Sequence, residues 1–383
     1  MNKEEINTKK LSENCSKIVT ENFKITKDNK VLIFYDNVCP LSKIVADGYA
    51  LACTELGFNF EVFNFYEFGG LDNPDLLDEN HMVEFDDEKV KAKVEDLTAG
   101  DLVVLSQSSS FRMSKYRWRN LLHDLDLKVA EHAHMRMNDD SETNTYIESL
   151  NYDLPYYKKT AAFLREKIEK SKSIKLVSKS GKVIEFSGEM DKIYENAANF
   201  EGKKDWGSRF PVGEIFTESL DLSTVNGEFE IYAFPRLDHK TVLCEQFTCI
   251  VEGGFIVSHN GPKEFEELFK LLQAENPEGV CFIRELGMGM NRGIKRDTRL
   301  GDISSFERHQ GVHFSLGMKH GIYRKKLIKQ YGKKFYQRYH IDVFVDADQI
   351  IIDGVKVFQY GEGYLVKYSP WNTILNWFSK LFA

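Results

Sequence analysis

Two short runs in the first third of the chain, Val31-Leu32-Ile33-Phe34-Tyr35 and Leu102-Val103-Val104-Leu105, offer almost no polar side chain to turn towards water. A strand of that kind is buried on both faces, which is the condition of a parallel sheet covered by helices. The segments around them fit that requirement. Leu11 to Phe23 and Leu41 to Leu56 carry helical patterns, Gly57 is a stop, and Phe58 to Phe65 reads as a further strand. An acidic loop and a charged helix, Glu88 to Leu97, lead into the strand at 101–105. Strands and helices in alternation predict a parallel α/β domain over residues 1–170.

The texture changes near residue 170. Ile174 to Val177, Lys179-Ser180-Gly181-Lys182 and Val183 to Phe186 form a hairpin pattern with a Ser-Gly turn. Further strand patterns follow at Phe229 to Phe234, Val242 to Val251, Phe255 to Ser258, Val280 to Ile283, Val312 to Leu316, Ile341 to Val345, Gln349 to Ile352 and Val355 to Tyr360. Helical patterns intervene at Pro262 to Ala274 and at Tyr323 to Tyr336. Residues 171–383 are therefore expected to form a β-rich α+β domain. A length of 383 residues with 42% hydrophobic content suits two ordinary cores.

Composition narrows the partners. A net charge of -8 without basic stripes weighs against nucleic acid. The one basic cluster, Arg324 to Lys334, lies within an amphipathic pattern and reads as a solvated helix face. Six cysteines without a CxxC pair, no apolar leader and no run of membrane-spanning length point to a cytoplasmic setting. At the C-terminus, Trp371 to Phe382 has a broad apolar helical face. It is expected to pack on the body or on a partner subunit, with weak contact to a membrane surface as the other option.

The chemistry gathers in the second half. In His340-Ile341-Asp342 a strand places His340 and Asp342 on one face and Ile341 on the other, a two-point clamp for a divalent metal. Gly311-Val312-His313-Phe314-Ser315-Leu316-Gly317 alternates likewise, with His313 beside Ser315. Glu285 ends the apolar run Val280-Cys281-Phe282-Ile283 and precedes a glycine-rich stretch expected to be a turn, Leu286-Gly287-Met288-Gly289-Met290-Asn291. Glu214 follows a Pro-Gly turn at the start of a strand. Three carboxylates and two imidazoles suit zinc, cobalt, manganese or iron better than magnesium. Two such ions about 3.5–4 Å apart can polarise a carbonyl and generate hydroxide.

Rival motifs are thin. No GxSxG, HExxH or GxGxxG occurs, and Ser106 to Ser110 reads as an ordinary β-α loop. His132-Ala133-His134 has strand spacing and is a second metal hypothesis, without a third ligand nearby.

The order of Pro211-Val212-Gly213-Glu214-Ile215-Phe216-Thr217, Glu285, His313-Phe314-Ser315-Leu316-Gly317, His340-Ile341-Asp342 and Asp353-Gly354 resembles the thermophilic metallopeptidase family of aminopeptidase T and aminopeptidase S type. The resemblance implies a dimeric, cytoplasmic exopeptidase with two divalent ions held by Glu214, Glu285, His313, His340 and Asp342. For a hydrolase, Glu214 or a nearby carboxylate is a candidate proton carrier, and His320 and Tyr323 are further candidate catalytic residues. The resemblance also implies a tyrosine seven residues after the first ligand histidine, where this chain has His320, with Tyr323 three residues on. The family's acidic motif is altered too: Ser305-Phe306-Glu307-Arg308 keeps Glu307 but not its usual neighbours. The scaffold is also similar to that of an iron(II) ring-cleaving dioxygenase acting on dihydroxypyridine, which uses two histidines and one carboxylate. Three readings follow: a metal-dependent aminopeptidase-like hydrolase acting on peptides or small molecules, a mononuclear iron dioxygenase or peptide-tailoring enzyme, and a non-catalytic dimeric binding protein.

Overall fold

The computed structural model describes residues 5–68, 87–108, 118–237, 240–276, 278–318 and 339–366. The expected helix at Tyr323 to Tyr336, the basic cluster, His320, Tyr323 and the C-terminal aromatic segment lie outside them.

The chain opens with α1 (Thr8–Lys17), whose N-cap Asn7 accepts a hydrogen bond from the Lys10 amide. Strand β1 (Lys30–Tyr35) and helix α2 (Pro40–Leu56) follow. Proline begins α2, and Gly57 ends it at a φ of 67°, a left-handed cap that glycine adopts without strain. Next come β2 (Asn59–Asn64), α3 (Asp87–Glu95), β3 (Leu102–Ser106), α4 (Trp118–Asp124), β4 (Lys128–His132), α5 (Glu142–Ser149) and α6 (Leu154–Glu169). Strands β1 to β4 pair in parallel. Their alternate residues feed two cores: Val31 and Ile33 pack with α1 and α2, while Leu32 and Phe34 pack with Phe65 and Trp118.

The second part supplies β5 (Ser173–Val177), β6 (Val183–Ser187), β7 (Tyr194–Asn196), β8 (Gly207–Arg209), β9 (Glu214–Glu218), β10 (Val225–Pro235), β11 (Thr241–Glu252) and β12 (Phe255–His259). Helix α7 (Lys263–Ala274), β13 (Ile283–Gly289), the single-turn α8 (Ile303–Phe306), β14 (Gly311–Gly317), β15 (His340–Val345), β16 (Gln349–Ile352), β17 (Val355–Gln359) and β18 (Gly363–Tyr364) complete it. Strands β5 and β6 form the expected hairpin, with Gly181 at a φ of 88° in its turn. The chain is thus an α/β unit with a parallel sheet joined to a large antiparallel, β-rich one. Past residue 170, β8 returns to the parallel sheet, which runs β2-β1-β3-β4-β8. The backbone then passes within four residues into β9 of the other sheet. That crossing sets β8 at the wall of the cavity that Glu214, Glu285, His340 and Asp342 also line.

Those four strands are adjacent, in the order β15-β14-β13-β9. Their far face is apolar, with Phe314 5.0 Å from Phe229 and 5.6 Å from Phe186 between ring centroids. One expectation is corrected here. The stretch Leu286-Gly287-Met288-Gly289 is the body of β13 and not a turn, and its pairing with β9 and β14 continues through Gly289.

Candidate metal centre

Register decides which side chains meet. Gly289 pairs with Glu214, Gly287 with His313, His313 with Phe344, Ser315 with Asp342 and Gly317 with His340. Directly paired residues share a face of a sheet, and so do residues two apart on a strand. Glu214, Glu285, His313, His340 and Asp342 therefore all project from one face of four neighbouring strands.

They converge. His313 Nε2 lies 3.1 Å from Glu214 Oε1 and 3.4 Å from Glu285 Oε1. His340 Nε2 lies 3.4 Å from Asp342 Oδ1 and 3.9 Å from Glu285 Oε2. Two sets of potential ligand atoms result, Glu214 with Glu307 and His313, and Glu285 with His340 and Asp342, the atoms of each set within 4.8 Å of one another. Glu307 was legible in the sequence only as the remnant of an altered motif. It reaches the centre from the end of α8, whose N-cap Asp302 accepts from the Ser304 and Ser305 amides.

The two glycines of β13 make room for this. A β-carbon at Gly289 would lie 1.9 Å from the His309 carbonyl oxygen, and one at Gly287 2.0 Å from His313 Nε2. Glycine at both positions lets the 308–309 backbone and the His313 ring lie flat on the strand.

Arg308 is the residue that sequence reasoning did not place. Its guanidinium is buried beside two carboxylates, 2.5 Å from Glu214 Oε2 and 2.7 Å from Glu307 Oε1. A charged pair next to a capped turn, five residues before His313, was the available signal. The neighbouring His309 is not a ligand candidate, since Tyr232 Oη and the Phe306 carbonyl occupy its two ring nitrogens. His132 is excluded similarly: its nitrogens meet Tyr49 Oη at 2.9 Å and Tyr146 Oη at 2.8 Å.

Electrostatics follow from burial and pairing. Burial pushes Glu285 up to about 7, against the bond from His313 and the charge of His340. Burial also holds Glu307 well above the carboxylate range, against the pull of Arg308. His340 is disfavoured as a cation by burial, but Asp342 and Glu285 raise it to about 10. Burial opposes charge on Glu214 as well, yet Arg308 and His313 keep its carboxyl below the usual value. Burial thus favours the proton on Glu285 and Glu307, whereas neighbouring charges keep Glu214 and His340 ionised.

The donor set fits a divalent cation. Glu285 Oε2 and Asp342 Oδ1 are buried and accept no hydrogen bond from the described residues. His340 Nδ1 is 3.0 Å from the Met318 carbonyl, so it donates there, and loss of the Nε2 proton would leave that nitrogen as a metal ligand. The centre forms the floor of a cavity of about 510 Å³, lined also by Arg119 of α4, Arg209 of β8 and Lys203.

No family model matches the sequence, and no curated protein matches it either. Solved structures do. One is 2,5-dihydroxypyridine dioxygenase from Pseudomonas putida KT2440, at 14% identity and a TM-score of 0.59, covering 94% of this chain and 99% of that one. Another is wild-type AmpT from Thermus thermophilus, at 12% identity and a TM-score of 0.52, with the same coverages of 94% and 99%. At these identities the likeness is one of fold, and it extends over almost the whole of both enzymes.

Proposed function

We propose that the chain is a metal-dependent hydrolase of aminopeptidase type, removing N-terminal residues from peptides. The observation that carries this reading is the set of four carboxylates and two imidazoles, five of the six on one sheet face and Glu307 reaching in from α8, at the floor of a cavity. Glu285, His340 and Asp342 would hold a divalent ion, with His313 beside them. When bound, such an ion polarises a peptide carbonyl and lowers the pKa of water. Glu214 is fixed by Arg308 and His313 and serves to orient them. Glu307 lines the cavity beside Asp342 and favours its protonated form, so it is the better placed carboxyl to carry a proton to a leaving amine.

A second reading, an iron(II) ring-cleaving dioxygenase, is favoured by one feature. The Nε2 atoms of His313 and His340 both approach the Glu285 carboxylate, at 3.4 and 3.9 Å, the two-histidine, one-carboxylate type of donor set. One assay separates the two. Chelator-stripped full-length protein is reloaded with zinc, cobalt, manganese or iron(II) and given peptides with free or acetylated N-termini, in air and under argon. The hydrolase reading expects cleavage of free-amine peptides that is indifferent to oxygen and absent after stripping. Silence towards every peptide, with oxygen consumed on a dihydroxypyridine in the iron form, would transfer the assignment to the dioxygenase.

A further inference from the structure

We infer that Arg308 is a built-in cation that fills the Glu214–Glu307 half of the centre, so that the chain binds one divalent ion, at Glu285, His340 and Asp342. The inference rests on the metal-dependent reading above and fixes the stoichiometry of the same site.

The two halves differ in what already neutralises them. In the first, both carboxylates face the Arg308 guanidinium, at 2.5 Å to Glu214 and 2.7 Å to Glu307. The Arg308 side chain is only 6% exposed, and a guanidinium keeps its charge at any pH the fold survives. A divalent ion bound between Glu214 and Glu307 would compete with the guanidinium for the same two carboxylates, and would sit against a fixed positive charge. In the second half no arginine or lysine pairs with either carboxylate among the described residues. There Glu285 Oε2 and Asp342 Oδ1 are buried acceptors without a donor, and Met318 turns His340 Nε2 towards them.

The test is a count of ions. Full-length protein stripped with chelator is equilibrated with cobalt(II) alone, and bound metal per chain is measured by elemental analysis and by visible absorption. Wild type is expected to take up one ion. Arg308→Gln, which frees the carboxylates of the first half, is expected to take up two, and adding Glu307→Gln is expected to return it to one. In the wild-type background Glu307→Gln alone should leave the count at one, and this variant decides the matter if Arg308→Gln does not fold. Two ions on wild type would overturn the inference while leaving the metal-dependent reading intact. So would one ion on a folded Arg308→Gln, or loss of the ion in Glu307→Gln. No ion on wild type would overturn both.

Discussion

Gly287 lies directly beneath the imidazole of His313, so close that a methyl group at position 287 would sit 2.0 Å from Nε2. His313 cannot swing aside, because its side chain is fully buried between Glu214, Glu285 and the ring of Phe344. Gly287→Ala therefore displaces His313 or bends β13. We expect a destabilisation of about 1–3 kcal/mol, typical of overpacking, and a larger loss of metal affinity. Urea melts of stripped protein and cobalt titrations measure the two separately. Wild-type metal affinity in this variant would show that the ring position does not matter to the centre.

Ser315 acts one step further out. Its Oγ accepts the Glu285 amide at 2.9 Å, across a point where the β13–β14 register shifts. Ser315→Ala leaves that buried amide without its acceptor, a cost of roughly 1–3 kcal/mol. Because the carboxylate itself is retained, metal uptake should weaken less than in Glu285→Ala. If the two variants lost metal equally, Ser315 would have to be a ligand and not a support.

How much of this was legible can be traced through the same residues. Period-two alternation showed that His340 pairs with Asp342 and His313 with Ser315, because the pleat leaves no other choice. The buried strand at 31–35 likewise announced its parallel sheet. Glu285 was found for a partly mistaken reason. Glycines normally interrupt strands, so 286–291 read as a turn, whereas here they admit a histidine ring and a neighbouring backbone. Convergence of residues from 214 to 342 depends on strand order, which local pattern does not encode. Arg308 escaped for a different reason. An arginine beside a glutamate ordinarily marks solvent, and only burial turns it into part of the centre.

Protons must leave when metal arrives. In the metal-free centre Glu285 holds its proton up to about pH 7 and His340 up to about pH 10, while a metal takes both groups deprotonated. Metal affinity should therefore rise with pH between 6 and 9. Proton release per ion should be greater at pH 6 than at pH 8, since Glu285 is largely ionised at the higher value. Glu285→Gln should remove that difference and weaken uptake at least tenfold. Release measured in dilute buffer checks it, and a pH-independent count in wild type would contradict the protonation of Glu285.

His132 offers a check on the fold away from the centre. Its ring is enclosed by Tyr49, Tyr146 and Phe210, and burial pushes its pKa down to about 3. In the unfolded chain the same imidazole titrates near 6.5. Between those values the unfolded state binds a proton that the folded state refuses. The contribution of His132 is thus complete above pH 6.5 and is lost as pH falls towards 3, by roughly 1.4 kcal/mol for each unit. His132→Phe keeps the ring volume but leaves the Tyr49 and Tyr146 hydroxyls short of a partner, so it should be less stable than wild type at pH 7. It should also lose stability less steeply with acid, by about one proton between pH 6 and pH 4. Urea midpoints across that range read the slope directly. Parallel curves for wild type and variant would mean that His132 is charged in the folded protein.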